Sequence, residues 1–352
     1  MTDSELGALV DLAADGFGGA VARVEEMHQA IAQRAVGGPA RAAHDAIAAG
    51  VYAVVRGGGR ALGGGVATAA RASGVGGRVL SDHPRGRLAR GAINGAWGDR
   101  LHTSGSALAV DMEARVLGAA PTPFPVVLLH GLCETDAAWS MRARQHDGTY
   151  MSRVLEPLGA TPVTISYNTG RGIGDNGAAL AELLDELVAT WPVAIDRLAL
   201  VGHSLGGLVI RAAAVHGGAW TERVDATVSL GTPHRGAPLA QAAHLAGRAL
   251  ALAPESRPVG AVIESISEGI KDLARGLAAE DALPDARHLA VAATVTADHG
   301  HPLGRLAGDL LVLKASAHAV GTERVHVGGH DHFDLLNSPA LDPILREWLN
   351  GS

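Results

Sequence analysis

One cysteine, Cys133, stands alone among 352 residues. It has no partner for an intrachain disulfide, so cysteine pairing says nothing about the compartment. Aromatic residues are scarce at 3%. A core must therefore be built from Ala, Val and Leu, and the 47% hydrophobic content is ample for one. Positive charge is also short, with 29 Lys and Arg against 36 Asp and Glu for a net charge of -7. That balance lacks the basic footprint of a nucleic-acid binder, so no nucleic-acid partner is expected. There is no uncharged apolar run of the roughly 18 residues that a bilayer span requires, so no transmembrane helix is expected. The first residues, M-T-D-S-E-L-G-A-L-V-D, carry neither a basic n-region nor an apolar h-region. No secretory signal is read there, and a cytoplasmic location is the default expectation.

Glycine, in contrast, is abundant, with 47 residues. Its distribution separates two textures. Residues 1–120 form an Ala/Gly-rich region that reads as mainly helical. Apolar positions such as Leu9, Leu12, Val21, Val24 and Met27 recur at helical spacing within 4–35, and a second helix is expected over 42–55. A glycine-rich stretch follows at 57–65. Small residues of this kind suit close helix packing or a linker, and peripheral contact with a lipid surface is the second reading of the region. Arg71, Arg78, Arg85, Arg87 and Arg90 read as a solvated face. No catalytic constellation is visible in this region.

From Pro121-Thr122-Pro123-Phe124-Pro125 onward the pattern changes, and residues 121–352 read as a single catalytic domain. Apolar strand-like runs at 126–129, 162–167, 198–201, 226–230, 289–295 and 324–327 alternate with helical segments. Such alternation implies a mostly parallel sheet covered on both faces. Residues 177–190 form an amphipathic helix with Leu180, Leu183, Leu184, Leu187 and Val188 on one face. Ser338-Pro339 opens a last helix that ends near Leu349. The 236–284 segment is helical and too long for a simple crossover, so it is expected to form a cap or lid. Its apolar residues, Leu239 and Ile270 among them, either line an apolar pocket or pack on the sheet.

The chemistry centres on R-L-A-L-V-G-H-S-L-G-G-L, residues 197–208. An apolar strand runs into Gly202-His203-Ser204-Leu205-Gly206, and a helical pattern follows directly. A strand, a sharp turn bearing serine and a helix constitute a nucleophile elbow. The turn holds the Ser204 hydroxyl up at the end of the sheet, and the N–H of Leu205 faces out at a helix N-terminus, where it can stabilise an oxyanion. His130-Gly131-Leu132 follows the first strong strand, which makes the Leu132 N–H the second candidate oxyanion donor. His130 itself reads as a structural histidine satisfying loop backbone. Cys133 adjoins this loop, and if exposed its modification would obstruct the mouth of the site.

In an elbow enzyme the acid and then the histidine follow the serine along the chain. Two acids are candidates, Asp309 in G-D-L-L-V and Asp298 in T-A-D-H-G-H. Asp309 is preferred because an apolar turn would fix its orientation, although Asp298 is nearer its strand. Two histidines are candidates in G-G-H-D-H-F-D-L-L. His332 is preferred over His330 because it leads directly into the short apolar turn. The same residues admit a divalent-metal reading built on Asp298, His299, His301, His330, Asp331 and His332. No H-E-x-x-H and no cysteine pair support it, so neither a metal nor any other cofactor is expected.

Taken in order, V-V-L-L-H-G-L, Y-N-T-G-R-G-I-G-D-N-G, L-V-G-H-S-L-G-G-L-V-I-R, S-L-G-T-P-H-R-G-A-P-L-A, G-D-L-L-V and H-F-D-L-L-N resemble bacterial lipases and esterases of the α/β-hydrolase superfamily. The likeness is closest in style to the triacylglycerol-lipase and GPI inositol-deacylase-like group, and it covers about 125–350. It implies an α/β-hydrolase fold, a mostly parallel sheet with helices on both faces, here with a helical cap and a helical N-terminal region. It implies Ser204 as nucleophile, Asp309 as acid, His332 as base, and Leu132 and Leu205 as oxyanion donors. The expected activity is hydrolysis of a small-molecule or lipid carboxylic ester with an apolar acyl or alcohol part. The competing expectations are an acyltransferase with the same triad and a lipid- or granule-binding protein acting through the N-terminal helices.

Overall fold

The computed structural model describes residues 84–118, 120–237, 267–277, 283, 285–298, 301, 308–318 and 323–351, with scattered positions between 5 and 25. The helix expected at 42–55, the glycine-rich stretch 57–65, Arg71, Arg78 and positions 238–266 of the expected lid lie outside the described residues. The chain falls into two compact units. One comprises Met1–Arg90, Leu101–Ala109 and Ala242–Ile266, the other Gly91–Arg100, Val110–Gln241 and Ser267–Ser352.

In the first unit the described residues between 5 and 25 are helical. The Arg90 guanidinium gathers carbonyls there, donating from Nε to Leu108 O at 3.0 Å and from Nη2 to Ala107 O and Ala109 O. Its Nη1 lies 3.6 Å from the buried Glu5 carboxylate. Helix α1, Pro84–Thr103, is interrupted at Trp97 (φ -139°).

The second unit is built on a seven-stranded sheet. Its strands are β1 (Glu113–Val116), β2 (Pro125–Leu129), β3 (Thr161–Ser166), β4 (Leu198–His203), β5 (Val224–Leu230), β6 (Arg287–Thr294) and β7 (Glu323–Gly328), in the order β1-β3-β2-β4-β5-β6-β7. Only β1 runs antiparallel, with Glu113 opposite Ser166; every other pair is parallel. β1 lies on the N-terminal side of Pro121 and was not legible in the sequence. Its four residues are mostly exposed, so they carry no apolar run.

The central strands are buried on both faces, which is why they read as continuous apolar runs rather than as alternation. Side chains still alternate. Val127, Leu129, Leu198 and Leu200 enter one core with α2 (Ile173–Thr190) and α3 (Leu205–His216). Val126, Leu128, Ala199 and Val201 enter the other, with Val154, Leu155 and the Leu345 and Leu349 side chains of the C-terminal helix. On α2 the buried Leu180, Leu184 and Leu187 follow helical periodicity. α2 and α3 pack tightly at Gly177, where an added Cβ would lie 2.5 Å from Ala212 Cβ. The last helix opens as expected at Ser338-Pro339 with one 3-10 turn, Pro339–Leu341, and continues as an α-helix over Asp342–Asn350. Within the expected lid, helix α4 spans Glu268–Arg275, while the described positions 236, 237, 267, 276, 277 and 283 are not helical. No helix among the described residues is long and apolar enough to cross a membrane.

The strand order positions the site. The chain leaves β2 toward β3 on one side and returns to β4 on the other. Loops leaving the carboxyl ends of β2 and β4 therefore diverge, opening a crevice at this switch point. Those loops begin at His130 and Ser204.

Candidate active site

Ser204 occupies a backbone conformation that side chains rarely adopt, with φ 52° and ψ -118°. Its N–H donates to Leu230 O on β5 at 2.8 Å, which ties the strained turn to the neighbouring strand. Two glycines make the turn sterically feasible. A Cβ on Gly202 would lie 2.4 Å from Gly207 N, and one on Gly206 would lie 2.6 Å from Leu129 O. Leu205 is the first residue of α3, and N–H groups in a first helical turn have no intrahelical acceptor.

The loop after β2 approaches this turn closely. A Cβ on Gly131 would sit 3.1 Å from Ser204 Cβ. Leu132, half-buried, packs against the core that holds α2 and α3. The N–H of Cys133 donates to Thr169 Oγ1 at 3.1 Å, so the Y-N-T-G-R-G loop after β3 holds this one in place. Cys133 is exposed and adopts φ 61°. His130 is buried and stacks on Tyr167 at 4.5 Å. Its Nδ1 lies 3.0 Å from Gly131 O, and Tyr167 Oη donates to His130 O at 2.7 Å. Burial lowers the His130 pKa, outweighing its bond to Gly131 and the nearby Glu134.

Of the alternatives left open by the sequence, the structure brings His332 and Asp309 together. His332 Nδ1 is 2.7 Å from Asp309 Oδ2, with both side chains buried. Asp309 is oriented by the turn it opens, since its Oδ1 accepts the N–H groups of Leu311 (3.0 Å) and Val312 (2.7 Å). Its carbonyl accepts the His332 N–H at 3.0 Å. The His332 ring lies over Gly231 at the end of β5, where a Cβ would come within 3.1 Å of it. His330 faces elsewhere, bonding Gly328 O and Ser338 Oγ at 2.9 Å each. Asp298 lies in the turn after β6, its carbonyl accepting from Thr296 Oγ1 at 3.3 Å. His299 is outside the described residues, and no group of three metal-ligating side chains forms among the described residues.

The segment carrying His332 is fastened from both ends. Asp331 Oδ1 accepts the N–H groups of Phe333 and Asp334, and Asp334 Oδ2 accepts that of Asp331. Arg142 bridges both carboxylates. Asn337 donates to Trp139 O and Met141 O and accepts from Tyr150 N. The loops after β2 and β7 are thereby knit into one wall.

Sequence reading missed a second buried pair. His203, which immediately precedes Ser204, has its Nδ1 3.2 Å from Glu134 Oε2. His203 is fully buried and Glu134 nearly so. A histidine inside G-x-S-x-G was the available signal, but nothing in the spacing links it to a glutamate 69 residues earlier. Burial acts to lower the His203 pKa, and the Glu134 charge and hydrogen bond reverse that, leaving it raised. Burial would raise the Glu134 pKa, but the His203 charge and the bond from Gly131 hold it down at about 2.

With this geometry in view, residues 165–248, which include the elbow, match the family described as a PGAP1-like alpha/beta domain. The mostly parallel seven-stranded sheet, with a strained serine turn between β4 and α3, is the architecture of the α/β-hydrolase fold. Among solved structures, the chain is similar to the mature lipase BlEst2 of Bacillus licheniformis at 21% identity, covering 67% of this chain and 98% of that one with a TM-score of 0.49. It is also similar to a thermophilic esterase from Thermogutta terrifontis (16% identity, 68% and 92% covered, TM-score 0.39). A third is an alpha/beta hydrolase fold protein from Chitinophaga pinensis (12% identity, 68% and 92% covered, TM-score 0.43). No curated protein matches the chain by sequence.

Proposed function

We propose that this α/β-hydrolase domain cleaves carboxylic esters with an apolar acyl or alcohol part, with Ser204 as nucleophile, His332 as general base and Asp309 as the orienting acid. One observation carries the reading. A serine strained into a left-handed turn at the end of β4 shares one end of the sheet with a buried His332–Asp309 pair at 2.7 Å. Asp309 holds Nδ1–H and leaves Nε2 as the base. Nε2 takes the Ser204 hydroxyl proton as Oγ attacks the ester carbonyl. The Leu132 and Leu205 N–H groups receive the oxyanion, each contributing about 3 kcal/mol of transition-state stabilisation. His332 returns the proton to the departing alkoxide, leaving an acyl-Ser204. Water, deprotonated by His332, attacks the acyl carbonyl, and the carboxylic acid leaves as Ser204 recovers its proton.

The test is fluorophosphonate labelling of wild type and Ser204→Ala side by side, with p-nitrophenyl esters of increasing chain length assayed on the same samples. The expected result is labelling and turnover in wild type and neither in the variant, with kcat lower by roughly 10⁶. A folded wild type that neither labels nor hydrolyses any ester would overturn the reading.

A further inference from the structure

The Glu134–His203 pair has no part in the proton transfers above, yet it touches three pieces of the site. Glu134 Oε2 accepts the Gly131 N–H at 2.6 Å, which pins the loop carrying Leu132. The same oxygen lies 3.2 Å from His203 Nδ1, on the residue next to Ser204. The other ring nitrogen of His203, Nε2, lies 3.2 Å from the backbone carbonyl of His332. The two imidazole rings are 4.7 Å apart.

The partners dictate the protonation. A carbonyl oxygen can only accept, so Nε2 carries a proton. The Oε2–Nδ1 contact needs one further proton between the two atoms. The Glu134 carboxyl is held well below the usual carboxylate range and the His203 pKa is raised, so that proton rests on the ring, and the pair is a doubly protonated His203 opposite an ionised Glu134. Burying such a pair adds little net stability by itself; this one joins the oxyanion loop, the nucleophile strand and the histidine segment at a single point.

We propose that Glu134 and His203 are positioning residues for the hydrolysis: a buried imidazolium–carboxylate clamp that sets the Leu132 N–H and the His332 backbone against Ser204. This rests on the ester-hydrolase reading. The clamp has a pH limit. When His203 gives up a proton, it must release either Glu134 or His332 O, and the alignment loosens. The groups facing the pair are His332 and Asp309 on the side of His203, and His130, Cys133 and Tyr167 on the side of Glu134. Asp309 favours the charged His203, as Glu134 does.

The experiment uses the full chain and compares wild type with Glu134→Gln and Glu134→Asp. Glutamine keeps an acceptor for the Gly131 N–H but cannot balance an imidazolium. The His203 imidazole is titrated by NMR, its signal assigned by its loss in His203→Gln. In parallel, kcat and KM are measured for a p-nitrophenyl ester across the pH range. In wild type, His203 is expected to be doubly protonated at neutral pH. In Glu134→Gln its titration moves to lower pH, and kcat falls about tenfold to a hundredfold while KM changes little. The alkaline limb of kcat moves down with the His203 titration, and Glu134→Asp restores part of both. A general loss of stability would lower activity without moving that limb. A neutral His203 in an active wild type overturns the proposal while leaving hydrolysis intact, and so does a Glu134→Gln enzyme with the wild-type kcat and alkaline limb. A wild type inert to esters and to fluorophosphonate removes the hydrolase reading, and the positioning role falls with it.

Discussion

At the scale of the residue, Asp309 shows how a buried carboxylate is oriented by the turn it opens. One oxygen is occupied by the N–H groups of Leu311 and Val312, leaving the other for His332. Replacing it with asparagine keeps the shape but offers an amide that can present N–H to Nδ1, and so stabilises the wrong tautomer. Asp309→Asn is expected to retain the wild-type thermal midpoint to within a few degrees and to lose on the order of 10³ to 10⁴ in kcat. Steady-state kinetics beside a thermal melt will check this, and a kcat within tenfold of wild type would remove Asp309 from the role. The preference for Asp309 over Asp298 was legible in the sequence through the apolar turn that follows it. The preference for His332 over His330 rested on the same kind of signal, the short apolar turn that His332 leads into. Two residues apart on one loop, they differ in what the fold presents to each: Gly231 and Asp309 to one, Ser338 to the other.

At the scale of the element, the sharp turn at Ser204 is possible because α3 starts where β4 ends and Gly202 and Gly206 put nothing larger than hydrogen into the close approaches there. Gly206 is the tightest test of that statement on the side of β2, since its missing Cβ would meet Leu129 O at 2.6 Å. Gly206→Ala is expected to push α3 away from β2, costing about 1–3 kcal/mol in stability and lowering kcat/KM by more than KM alone accounts for. Urea unfolding and kinetics on the same preparation separate the two effects. Unchanged stability and unchanged kinetics would mean the close approach is unimportant. The helices were visible in advance where periodicity was strong, as in α2. Strand β1 was not, because Glu113 and Arg115 interrupt its four residues so that no apolar run shows, only Ala114 packs against the core, and its position is decided by pairing with β3.

At the scale of the whole molecule, stability should depend on pH through buried histidines of opposite sign. His234, in the loop after β5, has its pKa lowered to about 3 by burial and, secondarily, by the Arg211 charge 3.4 Å away. Its folded value lies below its unfolded value of 6.5. The neutral form therefore stabilises the fold fully above pH 6.5, and that contribution is lost as pH falls from 6.5 toward 3. His203 is raised, so its contribution is present below its unfolded value and is lost as pH rises through its folded one. The unfolding free energy should accordingly fall on the acid side. His234→Gln should flatten the slope between pH 6.5 and 3, as read by urea midpoints over that range. An identical slope in the variant would show that His234 does not titrate in the folded protein as its burial requires.

The local sequence of this protein determined what local sequence can encode. It set the alternation of strand and helix from Pro125 onward, the serine at a glycine-flanked turn, and the order in which serine, acid and histidine follow one another. Period and turn chemistry act over a few residues, so they survive in one dimension. Tertiary structure alone decided what depends on distance across the sheet. It set His332 Nδ1 against Asp309 Oδ2, joined β1 to β3, and brought Glu134 from the loop after β2 under His203 at the end of β4. These are pairings between segments that only the sheet order makes neighbours, and a buried charge finds its partner through that order rather than through spacing along the chain.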